Sequence, residues 1–385
     1  MVQAVRDGEA VRGVARRFGV SPGNVSFWVE RCKGKRLDRC DFEDRPSGPH
    51  RPWNRTALGQ ERRVLSMRKQ LEASVLGESG APAIHQALQQ AADRLVPAVA
   101  TIGRILKRHG RTDARKRLRR PAPPRGWHLP QVAAGEAELD SFDLIEDLKL
   151  DKGPQFSVLT ATSVHGNQVD AWPQLGIGAR EVVNCLTARW RAIGLPHYAQ
   201  FDNDTRFQGA HQFADTVGRV SRLCLALGII PVFAPPLEHG FQNPIEGFNG
   251  LWQSKVWQRF YFADLSALQS HSSLYVQAHQ QRTVKRREAA PQRRAFPKGW
   301  HFDLGRALSG TLIYLRRTDA KGNVQLLGHR FAVDRLWLHR LVRCEVHFDL
   351  QCIRCYALRR RDPGDQPLLA ESPYQHPNKP FKGTT

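Results

Sequence analysis

The sequence has little that would place it in a membrane or hold it together with disulfides. No run of about 18 apolar residues occurs in the 385 residues, which excludes a membrane-spanning helix of the usual length. The first residues, Met1 to Asp7, lack the apolar segment of a secretory signal. The seven cysteines are few, odd in number and scattered. We therefore predict reduced thiols and a cytoplasmic protein rather than a disulfide framework.

Acidic residues are scarce relative to basic ones. The 58 lysines and arginines outnumber 36 aspartates and glutamates, so the net charge is +22. Hydrophobic residues make up 41 % of the chain, which is typical of a folded protein and argues against disorder. A globular chain this basic indicates nucleic acid as the leading partner, although the charge alone also fits a merely basic protein.

The charge changes sign along the chain. Residues 1–130 carry a net charge of +15, residues 131–270 carry −5, and residues 271–385 carry +12. Carboxylates repel phosphate, so a surface that only bound DNA would gain nothing from an acidic centre. Divalent cations that bridge carboxylates to phosphate would reconcile the two, and this predicts metal-dependent chemistry in the middle of the chain.

The first 40 residues have the pattern of a helix-turn-helix. Apolar residues at helical spacing end at Gly19, and Ser21-Pro22 then has the residues of a helix cap and first turn. The second helix is predicted from Gly23 to about Cys32. An ordinary helical hairpin is the alternative. If the module binds DNA, the candidate contacts are Arg16, Arg17, Asn24, Ser26 and Arg31.

A second helical set and a basic segment follow. Residues 41–57 are predicted to be a linker, and helices are predicted over 61–73, over 81–92 and from Pro97 to Gly110. This set resembles a second helix-turn-helix, with a helical linker bundle as the alternative. The run from Arg111 to Arg120 is predicted to track phosphates rather than to be only a solvated tail. The candidate DNA contacts in these segments are Arg104, Arg108, Arg115, Arg117, Arg119 and Arg120.

The acidic centre predicts strands and helices in the order β-β-β-α-β-α-β-α, a mixed sheet with helices. The predicted elements are strands at 138–148, 155–162, 164–172, 197–201 and 229–233, and helices at 179–193, at 207–227 and from Asn243. Three carboxylates fall where they could converge, namely Asp140, Asp202 and Glu246. Such a trio can hold two Mg²⁺ or Mn²⁺ ions, because these ions prefer oxygen ligands.

Three segments of the centre resemble the catalytic domain of the retroviral-integrase superfamily, and more closely bacterial insertion-sequence transposases of the D,D,E type. They are Glu138-Leu139-Asp140, the segment from Gln200 to Phe207, and the segment from Gln242 to Gly250. Asn203, Phe207 and Asn249 fit the family pattern, whereas Asp204 replaces a usual Gly and Gly247 replaces a common basic residue. The resemblance implies an RNase H-like fold and the metal-binding trio Asp140, Asp202 and Glu246. Asp143 or Asp147 remains an alternative first carboxylate, and Glu238 an alternative third.

The resemblance also implies flanking DNA-binding domains. Residues 308–362 are predicted to form the small C-terminal β-barrel of many family members, with Arg316 and Arg317 as phosphate contacts. The predicted fold is therefore multidomain: all-α helix-turn-helix modules, an α/β RNase H-like core and a β-barrel. The predicted divisions are 1–40, 41–57, 58–110, 111–132, 133–270 (core), 271–307 (helical or basic linker), 308–362 and 363–385 (tail).

The function that follows is an expectation from the resemblance. A D,D,E transposase binds the double-stranded ends of a mobile element, cleaves phosphodiesters and joins the 3′-hydroxyl to target DNA. Two metal ions would serve in catalysis, and a homo-oligomer would hold two DNA ends in a bacterial, nucleoid-associated location. The alternatives are a domesticated or inactive transposase that acts as a DNA-binding regulator, and an RNase H-like nuclease.

Overall fold

The structure is a computed structural model that describes residues 1–43, 55–93, 95–112, 123–151, 153–210, 212–236, 238, 240–377 and 381. The chain divides into two compact units, Met1–Arg63 and Val64–Thr385. Within the described ranges, no helix is both long enough and apolar enough to cross a membrane.

The first unit begins with three short helices, α1 (Val2–Arg6), α2 (Val11–Phe18) and α3 (Pro22–Arg31). Gly19 takes a left-handed conformation with φ of 65°, which ends α2. The Ser21 hydroxyl accepts a hydrogen bond from the Asn24 amide at 3.2 Å and caps α3. Val14, Ala15 and Val25 form a small buried cluster. The two helices and the turn predicted from the sequence are therefore present, and DNA binding by them stays a prediction.

The remaining α-helices and β-strands run in the following order along the chain. They are α4 (Leu58–Ala73), α5 (Ala81–Gln90), α6 (Val99–Arg108), α7 (Pro130–Ala133), β1 (Leu139–Lys149), β2 (Gln155–Ser163), β3 (Val169–Gln174), α8 (Ala179–Ile193), β4 (Tyr198–Phe201), α9 (Thr205–Gln208), α10 (Arg219–Ala226), β5 (Ile230–Phe233), α11 (Asn243–Trp252), α12 (Leu265–Arg282), α13 (Val284–Glu288), β6 (Thr311–Arg317), β7 (Asn323–Leu326), β8 (His329–Ala332), β9 (Leu341–His347), β10 (Cys352–Ala357) and β11 (Leu368–Pro373).

Nine strands form one mixed sheet in the order β11-β10-β9-β6-β5-β4-β1-β2-β3. Strands β1, β2 and β3 pair antiparallel, and β1, β4, β5 and β6 pair parallel. The part formed by β1 to β5 is compatible with the RNase H-like core expected from the sequence. The helix predicted at 179–193 is confirmed, and the third strand starts later than predicted, at Val169.

The C-terminal strands do not form a separate β-barrel, which corrects the sequence prediction. Strand β6 pairs with β5, and β9, β10 and β11 continue the same sheet. A row of buried aromatic rings crosses four neighbouring strands: Phe142, Phe201, Phe233 and Tyr314, with successive ring centroids 5.3, 6.0 and 5.3 Å apart. The edge of β5 would otherwise expose unpaired backbone groups, and β6 covers it.

Helix α12 belongs to the core rather than to a linker, which corrects the predicted boundary near residue 270. Its side chains bond to the outer carbonyl groups of the edge strand β3. Gln269, Ser272 and Gln280 donate to the carbonyls of Pro173, Ala171 and Val169 at 2.8, 3.3 and 2.9 Å. Alternate residues of a strand point their carbonyls to the same side, so one helix face satisfies all three and protects the sheet edge.

The long helix predicted over 207–227 is two short helices, α9 and α10, separated by a close backbone contact. Gly209 has φ of 93°, and a side chain on Gly218 would meet the Gln208 carbonyl oxygen at 2.7 Å and the Gly209 Cα at 2.8 Å. Glycine is therefore needed at both positions, because the two backbone segments are in contact there. The periodicity of apolar residues along the sequence does not reveal this contact.

We expect Gly218→Ala to lower the free energy of unfolding by about 1–3 kcal/mol, because the added methyl group must displace backbone atoms. Gly103→Ala is the matched control, since a methyl group there meets nothing within 4 Å in helix α6. Urea denaturation of the two full-length variants measures the difference. Equal stability of both variants would contradict the steric explanation.

Candidate active site

Three carboxylates come from different elements around the central sheet: Asp143 in β1, Asp202 directly after β4, and Glu246 in the first turn of α11. Strands β1 and β4 run parallel, with Asp140 opposite Ala199 and Ser141 opposite Gln200. Continuing this register by two residues places Asp143 level with Asp202. Level residues of parallel neighbours point to the same face of a sheet, so these two carboxylates share a side.

Asp143 interacts electrostatically with the other two carboxylates. Burial raises the pKa of Asp143 to about 6, and the negative charges of Asp202 and Glu246 add to this increase. The Leu144 amide and the Asn249 side chain donate to its two oxygens at 2.9 and 2.8 Å and partly oppose the increase in pKa. Two like charges that act on a buried carboxylate in this way favour a bound cation.

Asn249 ties the helix of Glu246 to the sheet. It lies three residues after Glu246, so both side chains share one side of α11. Its amide nitrogen donates to Asp143 Oδ2 at 2.8 Å, and its amide oxygen accepts from Thr160 Oγ1 at 2.7 Å. Thr160 in β2 also donates to the Asp143 carbonyl at 3.1 Å. This arrangement fixes the separation between β1 and the start of α11.

The Asp202 turn is held from two sides. The Asp204 amide donates to Asp202 Oδ1 at 3.0 Å, and burial is the largest of the effects that raise the Asp202 pKa. Asn203 donates to the carbonyl of Ala234, after β5, at 2.6 Å. It also accepts a hydrogen bond from Arg316 of β6 at 3.0 Å. Strands β5 and β6 therefore orient the turn that carries Asp202.

The structure does not bring Asp140 together with Asp202 and Glu246, which corrects the predicted trio. Asp140 is fully buried and accepts hydrogen bonds from Arg189 and Trp190 of α8, both at 3.2 Å, and from Arg293 at 2.5 Å. Burial raises the pKa of Asp140, but the two arginines outweigh it and hold the pKa at about 2. Successive strand residues alternate between faces, so Asp140 and Asp143, three apart, point to opposite sides.

Asp147 and Glu238, the remaining candidate carboxylates, also lie outside the trio. Asp147 is exposed near the end of β1 and accepts from Gln155 at 2.6 Å. Glu238 pairs with Arg317 of β6, with 2.6 Å between Oε1 and the arginine Nε. Its carboxylate is thus already neutralised by a guanidinium group, whereas Glu246 is exposed beside Asp143.

Among the described side chains, no group of three or more His, Cys, Asp or Glu residues has the geometry to hold a metal ion. The donor chemistry nevertheless fits a divalent cation, because carboxylate oxygens are the ligands that Mg²⁺ and Mn²⁺ prefer. The increased pKa of Asp143 is the second observation, since burial and the charges of Asp202 and Glu246 raise it and a bound cation would offset both effects.

The predicted DNA contacts of the flanks fall into distinct environments. Arg16, Arg17, Asn24, Ser26, Arg104 and Arg108 are exposed, and Arg17 pairs with Glu9 at 2.8 Å. Arg31 is not an open contact, because it pairs with Asp41 at 2.9 Å and packs against the Trp28 ring. Arg316 is half-buried against Asn203, which corrects its prediction as an open phosphate contact, whereas Arg317 is exposed and pairs with Glu238. Arg115, Arg117, Arg119 and Arg120 lie outside the described residues.

No protein-family model matches the chain. The chain is similar to several solved structures. One is the simian T-cell lymphotropic virus intasome in complex with PP2A regulatory subunit B56 gamma, with 13 % identity over 72 % of this chain and 91 % of that chain and a TM-score of 0.35. Another is the catalytic core domain of BIV integrase, with 17 % identity over 36 % of this chain and 80 % of that chain and a TM-score of 0.27.

A third is the HTLV-2 integrase catalytic core domain in complex with magnesium, with 11 % identity over 36 % of this chain and 83 % of that chain and a TM-score of 0.27. At these TM-scores the similarities carry no assignment of function for this chain.

We expect Asn249→Ala to shift cation binding to higher pH. The variant removes a hydrogen bond that lowers the pKa of Asp143, so this carboxyl group loses its proton at a higher pH. The midpoint of Mn²⁺ binding against pH should rise by about one unit, the effect of one hydrogen bond to a charged group. Asn184→Ala, at an exposed position of α8, is the control. An unchanged midpoint would show that Asn249 has no influence on the carboxylates.

Proposed function

We propose that this chain is a metal-dependent polynucleotidyl transferase that cleaves DNA strands and joins a 3′-hydroxyl end to target DNA, as a transposase or integrase does. The observation that supports the proposal is that the charges of Asp202 and Glu246 act on Asp143, to which Asn249 of the Glu246 helix donates a hydrogen bond. Asp143 replaces Asp140 in this proposal, because Asp140 is occupied by two arginines.

The chain's own residues would hold two Mg²⁺ or Mn²⁺ ions through the carboxylates of Asp143, Asp202 and Glu246. Such ions, when bound, lower the pKa of an attacking water or 3′-hydroxyl and stabilise the leaving oxygen in an in-line displacement. Glu246 lies in the first turn of α11, where the helix dipole favours a negative charge. Asn249 keeps Asp143 oriented, and Asn203 keeps the Asp202 turn against β5.

The basic flanks would bring DNA to this site. Exposed arginines such as Arg16 and Arg104 suit phosphate contacts, and the first unit has the helices and turn of a helix-turn-helix module. In this proposal the first unit selects the ends of a mobile element, and residues 58–110 add further contacts. Two ends must be joined to one target, so a homo-oligomer would assemble on the DNA.

The test is a nicking and joining assay with the full-length chain. Supercoiled plasmid should be nicked in Mn²⁺ or Mg²⁺ and left intact in EDTA. A labelled oligonucleotide with a free 3′-hydroxyl should become joined to the plasmid, which a simple nuclease does not achieve.

Three different outcomes would contradict the proposal. DNA binding without nicking in any divalent cation would indicate a regulator. Cleavage of an RNA–DNA hybrid alone would indicate an RNase H-like nuclease. Joining that persists in EDTA would contradict metal-dependent chemistry.

A further inference from the structure

A cleft of about 310 Å³ lies beside the loop that leads from β5 to α11. Glu238, Gly240 and Phe241 of this loop form one wall, and Glu246 follows five residues after Phe241. The lining also includes Trp337 and Arg340, which come before β9, and Arg360, which follows β10. The candidate active site and the cleft are therefore connected by one short segment of chain.

The walls of the cleft are aromatic. Trp337 donates its indole N–H to the Leu341 carbonyl at 3.1 Å, which fixes the plane of its ring. The Arg340 guanidinium lies 4.7 Å from the centre of that ring. Trp127 is buried, and its ring packs 5.1 Å from that of Phe241. Fixed aromatic rings of this kind are platforms on which a flat group can stack.

Two further features point to an anionic ligand with hydrogen-bond acceptors. The indole nitrogen of Trp127 is buried and has no hydrogen-bond partner among the described residues, although a buried N–H group normally has one. Three arginines, Arg317, Arg340 and Arg360, line the cleft against a single carboxylate, Glu238. The cleft thus combines a net positive charge with an unsatisfied donor.

We propose that this cleft binds one unpaired nucleotide of the DNA substrate. The base would stack on the partly exposed Trp337 ring, and its phosphate would bind Arg340 and Arg360. A base inside a duplex is already stacked on both faces and cannot enter such a cleft, so the occupant comes from a strand end or a flipped position. The cleft volume is at the lower end of small-ligand sites, which suits one nucleotide. This inference rests on the proposed action on DNA.

In this proposal Glu238 competes with a bound phosphate for the third arginine, Arg317. It is bonded to Arg317, which also donates to the His339 carbonyl. The Glu238 carboxylate would repel a phosphate in the cleft, because both groups are negatively charged. Removal of the charge in Glu238→Gln should therefore raise the affinity for an unpaired nucleotide, whereas removal of an arginine charge should lower it.

The test compares two DNA duplexes that bind the full-length protein in EDTA, where no cleavage takes place. One duplex is blunt, and the other carries two unpaired nucleotides at each 5′ end. We expect the second to bind about tenfold more tightly, the gain from one stacked base. Abasic analogues at the unpaired positions should abolish the preference. Trp337→Leu and Arg360→Gln should abolish it too, and Trp337→Phe should retain it because the ring remains.

Arg361→Gln is the matched control, because it removes the same charge from an exposed neighbour of Arg360 that does not line the cleft. It should weaken both duplexes equally and leave the preference intact. Equal binding of the two duplexes by the unaltered protein would overturn the inference, as would loss of the preference in Arg361→Gln. Nicking without the preference would reject only the cleft, and the preference without nicking would reject only the proposed catalysis.

Discussion

Asp143→Asn is expected to reduce metal-dependent nicking and joining by about a thousandfold or more while DNA binding is retained. The variant keeps the side-chain shape and a hydrogen-bond acceptor but removes the negative charge that would hold the metal ions. Metal-ion catalysis contributes several kcal/mol to stabilisation of the transition state, and about 4 kcal/mol corresponds to this factor. Asp202→Asn and Glu246→Gln should have losses of similar size, because the three carboxylates act as one unit.

The matched control for this prediction is Asp147→Asn, which removes an exposed carboxylate from the same strand. It should leave nicking within about twofold of the unaltered protein. Luminescence of bound Tb³⁺ gives a readout besides activity, since the three site variants should lose binding and Asp147→Asn should keep it. Full activity in Asp143→Asn, together with loss of activity in a stably folded Asp140→Asn, would reinstate Asp140 as the first carboxylate.

The second large effect concerns the buried ion pairs of α8. We expect Arg189→Ala to lower the free energy of unfolding by about 3–5 kcal/mol, because it leaves buried carboxylates without their partner. Arg189 is bonded to Asp140 and Asp170, and its side chain is completely buried. Arg180→Ala, at an exposed position of the same helix, should change stability by less than about 0.5 kcal/mol. Urea denaturation of the full-length variants measures both values.

The same cluster predicts a pH dependence with a definite sign. The pKa of Asp140 is about 2 in the folded chain, below its ordinary value of 3.8, because Arg189 and Arg293 outweigh the effect of burial. A carboxyl group with a lowered pKa stabilises the fold at neutral pH and loses this contribution as pH falls through its folded pKa. The contribution amounts to about 2–3 kcal/mol at pH 7, and about half of it is lost by pH 3.

Comparison with Asp140→Asn isolates this contribution from the other titrating groups. The difference in stability between the two proteins should narrow as the pH is lowered from 6 to 3. A difference that stays constant over this range would mean that the two arginines do not depress the pKa of Asp140. Nicking activity of any Asp140→Asn protein that remains folded should persist, since Asp140 positions α8 rather than the reacting groups.

The buried cluster also explains why the choice between two aspartates of β1 could not be made from the sequence. Asp140 and Asp143 are both acidic residues of one predicted strand, and their odd separation places them on opposite faces. The face of the sheet that carries the site is the one against which α11 packs. Asn249 and Thr160, which are far apart in the chain, make this contact. The local motif around Asp140 contains no information about the arginines that neutralise it.

The pairing of the C-terminal strands also could not be predicted from the sequence. The sequence correctly predicted β-structure within residues 308–362, but a strand pattern does not specify a partner strand. The open edge of β5 supplied that partner, and Tyr314 continues the aromatic row that begins at Phe142. Because β6 pairs with β5, Arg316 contacts Asn203 and is not a surface cation.

The sequence by itself determined the basic flanks, the acidic centre, most helices and strands, and the positions of Asp202 and Glu246 as candidate carboxylates. These follow from local composition, periodicity and motif spacing, which depend on neighbours along the chain. Only the tertiary structure decided that Asp143 rather than Asp140 faces them, that Glu238 pairs with Arg317, and that the C-terminal strands extend the central sheet. Each of these depends on a contact between residues or strands that are far apart in the sequence. Burial and charge pairing determine such contacts, and they arise only when the chain folds.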